Sequence, residues 1–233
     1  MSETPQPTRE LPPGVNSDPR VYDGSFTYTR DHPGFAATID FLEQGDELGW
    51  QPPLPGISPA IIAIDGETGA GKTSFAVGVW HELGTARVEV VEADDYFIAE
   101  APSEASEWES YDRTAMGSDL NQLRQGKLLE HSTQDWRTGE PGETLRIDPA
   151  TTEYVIVPGV GLLHPDIRQA FDLVVHLDTP HDLSYARAKA RTGNPDSPEW
   201  STWERNDLAI GIRYPAGEYA DLIVSTEPTS LQK

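Results

Sequence analysis

The feature that most constrains this chain is the stretch from Ala60 to Leu83. It consists of an apolar run, Ala60-Ile-Ile-Ala-Ile64, then Gly66-Glu-Thr-Gly-Ala-Gly-Lys-Thr73, then Ser74-Phe-Ala-Val-Gly-Val-Trp-His-Glu-Leu83. The first part predicts a buried strand, and the second matches the phosphate-loop pattern G-x-x-x-x-G-K-[ST]. The third continues as a helix whose N-terminal dipole faces the loop. A backbone that curls its N–H groups around an anion needs residues without bulk, here Gly66, Gly69 and Gly71. Lys72 then reaches the β- and γ-phosphates, and the Thr73 hydroxyl binds Mg²⁺. The whole loop, Gly66, Glu67, Thr68, Gly69, Ala70, Gly71, Lys72, Thr73 and Ser74, is expected to hold a nucleoside triphosphate. A turn that only joins two elements has no need of Gly-Lys-Thr at its end.

Four further apolar runs read as strands: Arg87-Val-Glu-Val-Val91, Tyr154-Val-Ile-Val157, Leu173-Val-Val-His-Leu177 and Leu222-Ile-Val224. Strands separated by helical stretches predict an α/β fold of the P-loop NTPase, Rossmann-like kind: a parallel sheet with helices on both faces. Ligands on such sheets sit at the carboxyl ends of the strands, so the chemistry is expected just after each one. There Glu92-Ala-Asp-Asp-Tyr-Phe97 offers two adjacent carboxylates. Phosphoryl transfer to an alcohol needs one carboxylate to orient the hydroxyl and accept its proton, and benefits from another that supports Mg²⁺. Asp94 and Asp95 are placed to divide that work.

A length of 233 residues allows one α/β domain with a tail. Residues 1–55 read as a Pro-rich arm carrying one short amphipathic helix, with Phe35, Ile39 and Leu42 on one face. The P-loop core is expected over residues 56–228, with a small lid around residues 187–205. The net charge of −22, from 39 acidic and 17 basic residues, argues against a nucleic-acid backbone as partner. It leaves phosphate binding to local groups. Nothing resembles a membrane span or a secretory leader, so the expectation is a soluble, cytoplasmic protein with no membrane partner. Association with further copies of itself stays open. The absence of cysteine removes disulfides, thiolate metal sites and a cysteine nucleophile. The six histidines lack the i, i+4 spacing of a helical metal pair, and no G-x-S-x-G elbow supports a serine hydrolase.

The ordered set Ile64-Asp-Gly-x-x-Gly-x-Gly-Lys-Thr73, Asp94-Asp-Tyr-Phe97, Asp135-Trp136, Gly159-Val160, Asp178-Thr179, Arg187 to Arg191 and Tyr219-Ala-Asp-Leu-Ile223 resembles the uridine kinase family. That family groups with phosphoribulokinase-type and pantothenate kinase-type P-loop phosphotransferases. The resemblance implies ATP with Mg²⁺ as donor and a small-molecule alcohol, commonly a nucleoside, as acceptor. It places the catalytic base at Asp94 and substrate contacts at Tyr96, Asp112, Asp135 and Trp136. Lys72, with Arg187 and Arg191 on one face of a lid helix, would neutralise the transferring phosphate.

Three positions depart from the family pattern. Val157-Pro158-Gly159 stands where the family shows Glu-Gly, so the metal-organising acid is replaced by a proline that binds no metal. Asp95, Glu92 or the first aspartate after the arm would have to substitute. Gln134 precedes Asp135 where an aromatic is expected, and Arg137-Thr-Gly-Glu140 follows Trp136 in place of a histidine. The lid segment Thr192-Gly-Asn-Pro-Asp-Ser-Pro-Glu-Trp200 carries two prolines and acidic residues. These changes spare the phosphate end more than the acceptor end. Three readings follow: a small-molecule kinase, a degenerate nucleotide-binding sensor, and an NTPase coupled to a protein partner through the arm.

Overall fold

In the computed structural model of the chain, the residues described are 15, 27–44, 50, 58–84, 87–98, 111–135, 138, 140–192 and 194–226. Strand β1 (Ala60–Asp65), all six residues buried, lies at the centre of a five-stranded sheet. Its partners are β2 (Val88–Val90), β5 (Tyr154–Gly159), β6 (Leu173–Asp178) and β7 (Leu222–Ser225), in the order β2-β5-β1-β6-β7. Every pairing in this sheet is parallel. The five strands expected from the apolar runs are therefore the five that form this sheet.

Alternation along β1 explains the two layers. Successive side chains leave a strand on opposite faces. Ile62 and Ile64 enter a core shared with α1 (Pro33–Gln44) and α2 (Lys72–Leu83), among Phe35, Ile39, Phe75 and Val79. Ile61 and Ala63 enter the other, which holds Met116, Leu120 and Leu123 of α3 (Arg113–Arg124) together with Val155 and Val157. The short helix α4 (Pro165–Arg168) closes this second layer through Ile167.

Helix α1, expected as part of an arm, is built into the core. Phe35, Ile39 and Leu42 are fully buried, and the Phe35 ring meets Phe75 of α2 edge-on with centroids 5.0 Å apart. Tyr28 packs against the same two rings. Close approach is allowed by Gly78, where a Cβ would lie 2.7 Å from the Tyr28 carbonyl oxygen. Arg30 adds exposed ion pairs to Asp40 (2.6 Å), Glu43 (2.9 Å) and Glu82 (3.0 Å), which fix direction more than they stabilise.

A feature the sequence reading did not anticipate is the antiparallel hairpin of β3 (Leu129–Asp135) and β4 (Glu140–Ile147), set apart from the main sheet. Helices α5 (His181–Thr192) and α6 (Glu199–Arg213) span the expected lid region. A short helix, α7 (Ala216–Tyr219), leads into β7.

Candidate active site

Strand β1 delivers Gly66–Thr73 to the carboxyl edge of the sheet, and α2 starts at Lys72. Gly69 (φ +83°) and Gly71 (φ +98°) occupy left-handed backbone, open to glycine at little cost. Space is equally demanding at Gly69, where a Cβ would fall 2.0 Å from the carbonyl oxygen of Ser184 on α5. The Lys72 ammonium donates to the Glu67 carbonyl across the loop at 2.8 Å. Desolvation draws its pKa downward, and the carboxylates of Asp207, Asp94 and Asp65 pull it back.

A cleft of about 140 Å³ opens over the loop, lined by Thr68, Gly69, Gly71, Lys72, Thr73 and Ser74. Asp94, Tyr111, Val160, Arg191 and Trp203 complete it. Asp94 arrives on a single 3₁₀ turn, Ala93–Tyr96, that follows β2, and the Tyr111 hydroxyl donates to its Oδ1 at 2.6 Å. Loop, carboxylate and arginine thus meet in one cleft. Gly66 and Glu67 line a neighbouring cleft with Asp65, His176 and Asp207, while Ala70 is buried and its carbonyl accepts from the Thr179 hydroxyl.

Other expected residues are placed differently. Asp95, adjacent to Asp94, turns to the hairpin: its oxygens accept from the Gln134 amide (2.8 Å) and pair with His131 Nε2 (3.0 Å). Its side chain is 3% exposed and does not line the phosphate cleft, because consecutive residues of a 3₁₀ turn point about 120° apart. The expected metal-supporting role therefore has no geometric basis at this carboxylate. Tyr96 stacks on His131 and donates to Asp119 at 2.9 Å, a buried brace outside the cleft. Asp112 caps α3 by accepting the Ala115 amide at 2.8 Å. Asp135 ends β3 opposite Glu140, and Trp136 lies outside the described residues. The lid arginines separate: Arg191 lines the cleft, whereas Arg187 acts on the Tyr28 hydroxyl, whose pKa burial raises and Arg187 lowers.

Four residues had no signal in residue spacing. Asp207 of α6, 1% exposed, accepts from the Thr68 amide (2.8 Å) and the Tyr185 hydroxyl (2.9 Å), and burial raises its pKa. His181 of α5 bridges Glu67 (2.8 Å) and Glu204 (3.0 Å). Ser184 also donates to Glu67, at 3.1 Å. The first half of the phosphate loop is thereby tied to both lid helices. Tyr111 is the fourth, although it immediately precedes Asp112 in a segment the family resemblance had marked.

A parallel sheet centred on the strand before a phosphate loop, with a carboxylate and an arginine facing that loop, defines a P-loop kinase. No family model matches the chain. A curated uridine kinase of Clostridium perfringens is 26% identical over 146 residues, covering 58% of this chain and 69% of the relative. The solved structure of a possible uridine kinase from Bacillus stearothermophilus shares the fold with a TM-score of 0.60 at 18% identity, over 83% of this chain and 97% of its own. A putative fructose transport system kinase from Silicibacter sp. gives 0.61 at 19% identity, over 81% and 98%. In sequence the chain is thus similar to uridine kinases, and in fold to solved P-loop kinases.

Proposed function

We propose that the protein transfers the γ-phosphate of ATP to a hydroxyl of a nucleoside or nucleoside-like acceptor, with Asp94 as the proton acceptor. The observation that carries this reading is the convergence of Lys72, Thr73, Asp94 and Arg191 on one cleft. The loop suits a polyphosphate, since glycines at Gly69 and Gly71 take up the left-handed backbone that an anion cradle needs. Thr73 is the residue to hold Mg²⁺, which when bound neutralises charge building on the β- and γ-phosphates. Lys72 and Arg191 bring positive charge to the transferring group, and Asp94 orients the attacking hydroxyl. Such a site works by positioning and electrostatics rather than by covalent chemistry. The nucleoside class rests on the curated relatives named uridine kinase; the neighbour named for fructose makes a sugar the nearest competitor.

Pro158 favours a second reading, a nucleotide-binding protein with weak transfer. It is buried in β5, paired beside Ile64, and offers no carboxylate to the metal. One experiment separates the two. Asp94→Asn should cut phosphate transfer to the acceptor by about 10²- to 10⁴-fold while ATP binding, measured by calorimetry, is retained. Retained transfer would remove Asp94 from the mechanism, and absent transfer in the unaltered protein would favour the sensor.

A further inference from the structure

Tyr111 holds the Asp94 carboxylate, and we propose that it is a positioning residue for phosphate transfer, fixing which oxygen of Asp94 receives the acceptor proton. The inference rests on the reading of Asp94 as base. Its geometric support is independent of any relative: Tyr111 lines the phosphate cleft, is 7% exposed, and donates to Asp94 Oδ1 at 2.6 Å. That length belongs to a charge-assisted O–H···O⁻ bond, the strong kind.

The phenol is itself held in place. Tyr111 pairs backbone to backbone with Phe97 in an isolated antiparallel bridge, and their rings meet edge-on at 6.4 Å. Phe97 in turn stacks on Trp203 of α6 with centroids 6.3 Å apart. The amide of the next residue, Asp112, donates to the Tyr96 carbonyl at 2.9 Å, so the turn bearing Asp94 and the entry to α3 form one unit. Burial, followed by the negative charge of Asp94, pushes the Tyr111 hydroxyl well above its ordinary value, with Asp207 and Glu92 adding to the effect. The phenol therefore stays protonated and stays a donor.

The phenol's hydrogen bond lowers the basicity of Oδ1, so Oδ2 is the oxygen that takes the acceptor hydroxyl. In the transfer step the acceptor O–H proton passes to Oδ2, and the hydroxyl oxygen forms the new bond to the γ-phosphorus. The bond from that phosphorus to its bridging oxygen breaks, and ADP leaves with the electron pair. A carboxylate free to rotate would present either oxygen and lose part of its alignment. Misplacement of about an ångström costs on the order of a hundredfold in rate, and loss of one anchoring bond should fall somewhat short of that.

The test is a double-mutant cycle of Tyr111→Phe and Asp94→Asn, assayed with Mg²⁺-ATP and a panel of uridine, cytidine, adenosine and fructose, using whichever gives most product. Tyr111→Phe keeps the ring that packs on Phe97, and an unchanged melting temperature verifies the fold. The expected result is a kcat lower by about 10- to 100-fold with KM for ATP and acceptor unchanged, and no further loss when the substitution is added to Asp94→Asn. A full kcat in Tyr111→Phe, a fall carried by KM, or additive losses in the cycle would overturn the positioning role while leaving Asp94 as base. Turnover retained by Asp94→Asn, or no product from any acceptor, would overturn the reading of Asp94 and the inference with it.

Discussion

Replacing Phe35 by alanine tests whether α1 belongs to the body of the kinase. The ring is fully buried between Tyr28, at 6.0 Å and nearly parallel, and Phe75, at 5.0 Å and edge-on. Truncating a buried phenylalanine costs about 3–5 kcal/mol, from lost transfer energy and the cavity left behind. The upper half of that range applies because the three rings are fixed by α1, α2 and the segment before α1, which leaves little room for collapse. For a domain of this length each kcal/mol lowers the melting temperature by about 2–4 °C, so a fall of about 8–20 °C is expected in a thermal melt followed by circular dichroism. Phe75 lies one turn into α2 from Lys72, so ATP affinity should weaken as well. A shift below about 2 °C would refute the packing argument and return α1 to the status of an appended arm.

Further outcomes follow from the lid contacts. At His181, burial pulls the pKa down, but the hydrogen bonds to Glu204 and Glu67 outweigh it and the net shift is upward from 6.5. Its stabilising contribution is then complete below that value and lost as pH rises through the folded-state pKa. His181→Gln should lower the melting temperature clearly near about pH 6 and little near about pH 9; an equal cost at both would contradict the clasp. Gly69→Ala adds left-handed strain of about 1–2 kcal/mol to the collision with the Ser184 carbonyl, and should weaken ATP binding by at least about tenfold in a calorimetric titration. Unchanged affinity would mean that the loop and α5 are not in contact in solution.

The fold was legible where local pattern decides it. Five apolar runs gave five strands, and Gly-Lys-Thr after the first of them placed the phosphate loop, because a buried parallel strand and an anion cradle both leave marks in adjacent residues. The β3–β4 hairpin left few: β3 reads Leu-Glu-His-Ser-Thr-Gln-Asp, and only Leu129 and His131 on it are buried. At the site, adjacency misled twice. Asp94 and Asp95 look equivalent in sequence, yet the turn that carries them sends one to the phosphate cleft and the other to the hairpin. Arg187 and Arg191, four apart, share a helix face, but only Arg191 lines that cleft. The contacts of Asp207 with Thr68 and of His181 with Glu67 join residues more than a hundred positions apart, and no spacing rule reports such pairs.

The central claim is that this cleft moves phosphate from ATP to a small alcohol. Its most direct test is to incubate the protein with Mg²⁺-ATP and pooled nucleosides, pantothenate and sugars, alongside Lys72→Ala, and to follow each acceptor by mass spectrometry. The account predicts one acceptor gaining the mass of a phosphoryl group, with that product absent when Lys72 is replaced. An intact acceptor pool, with ATP bound to the unaltered protein, would contradict it.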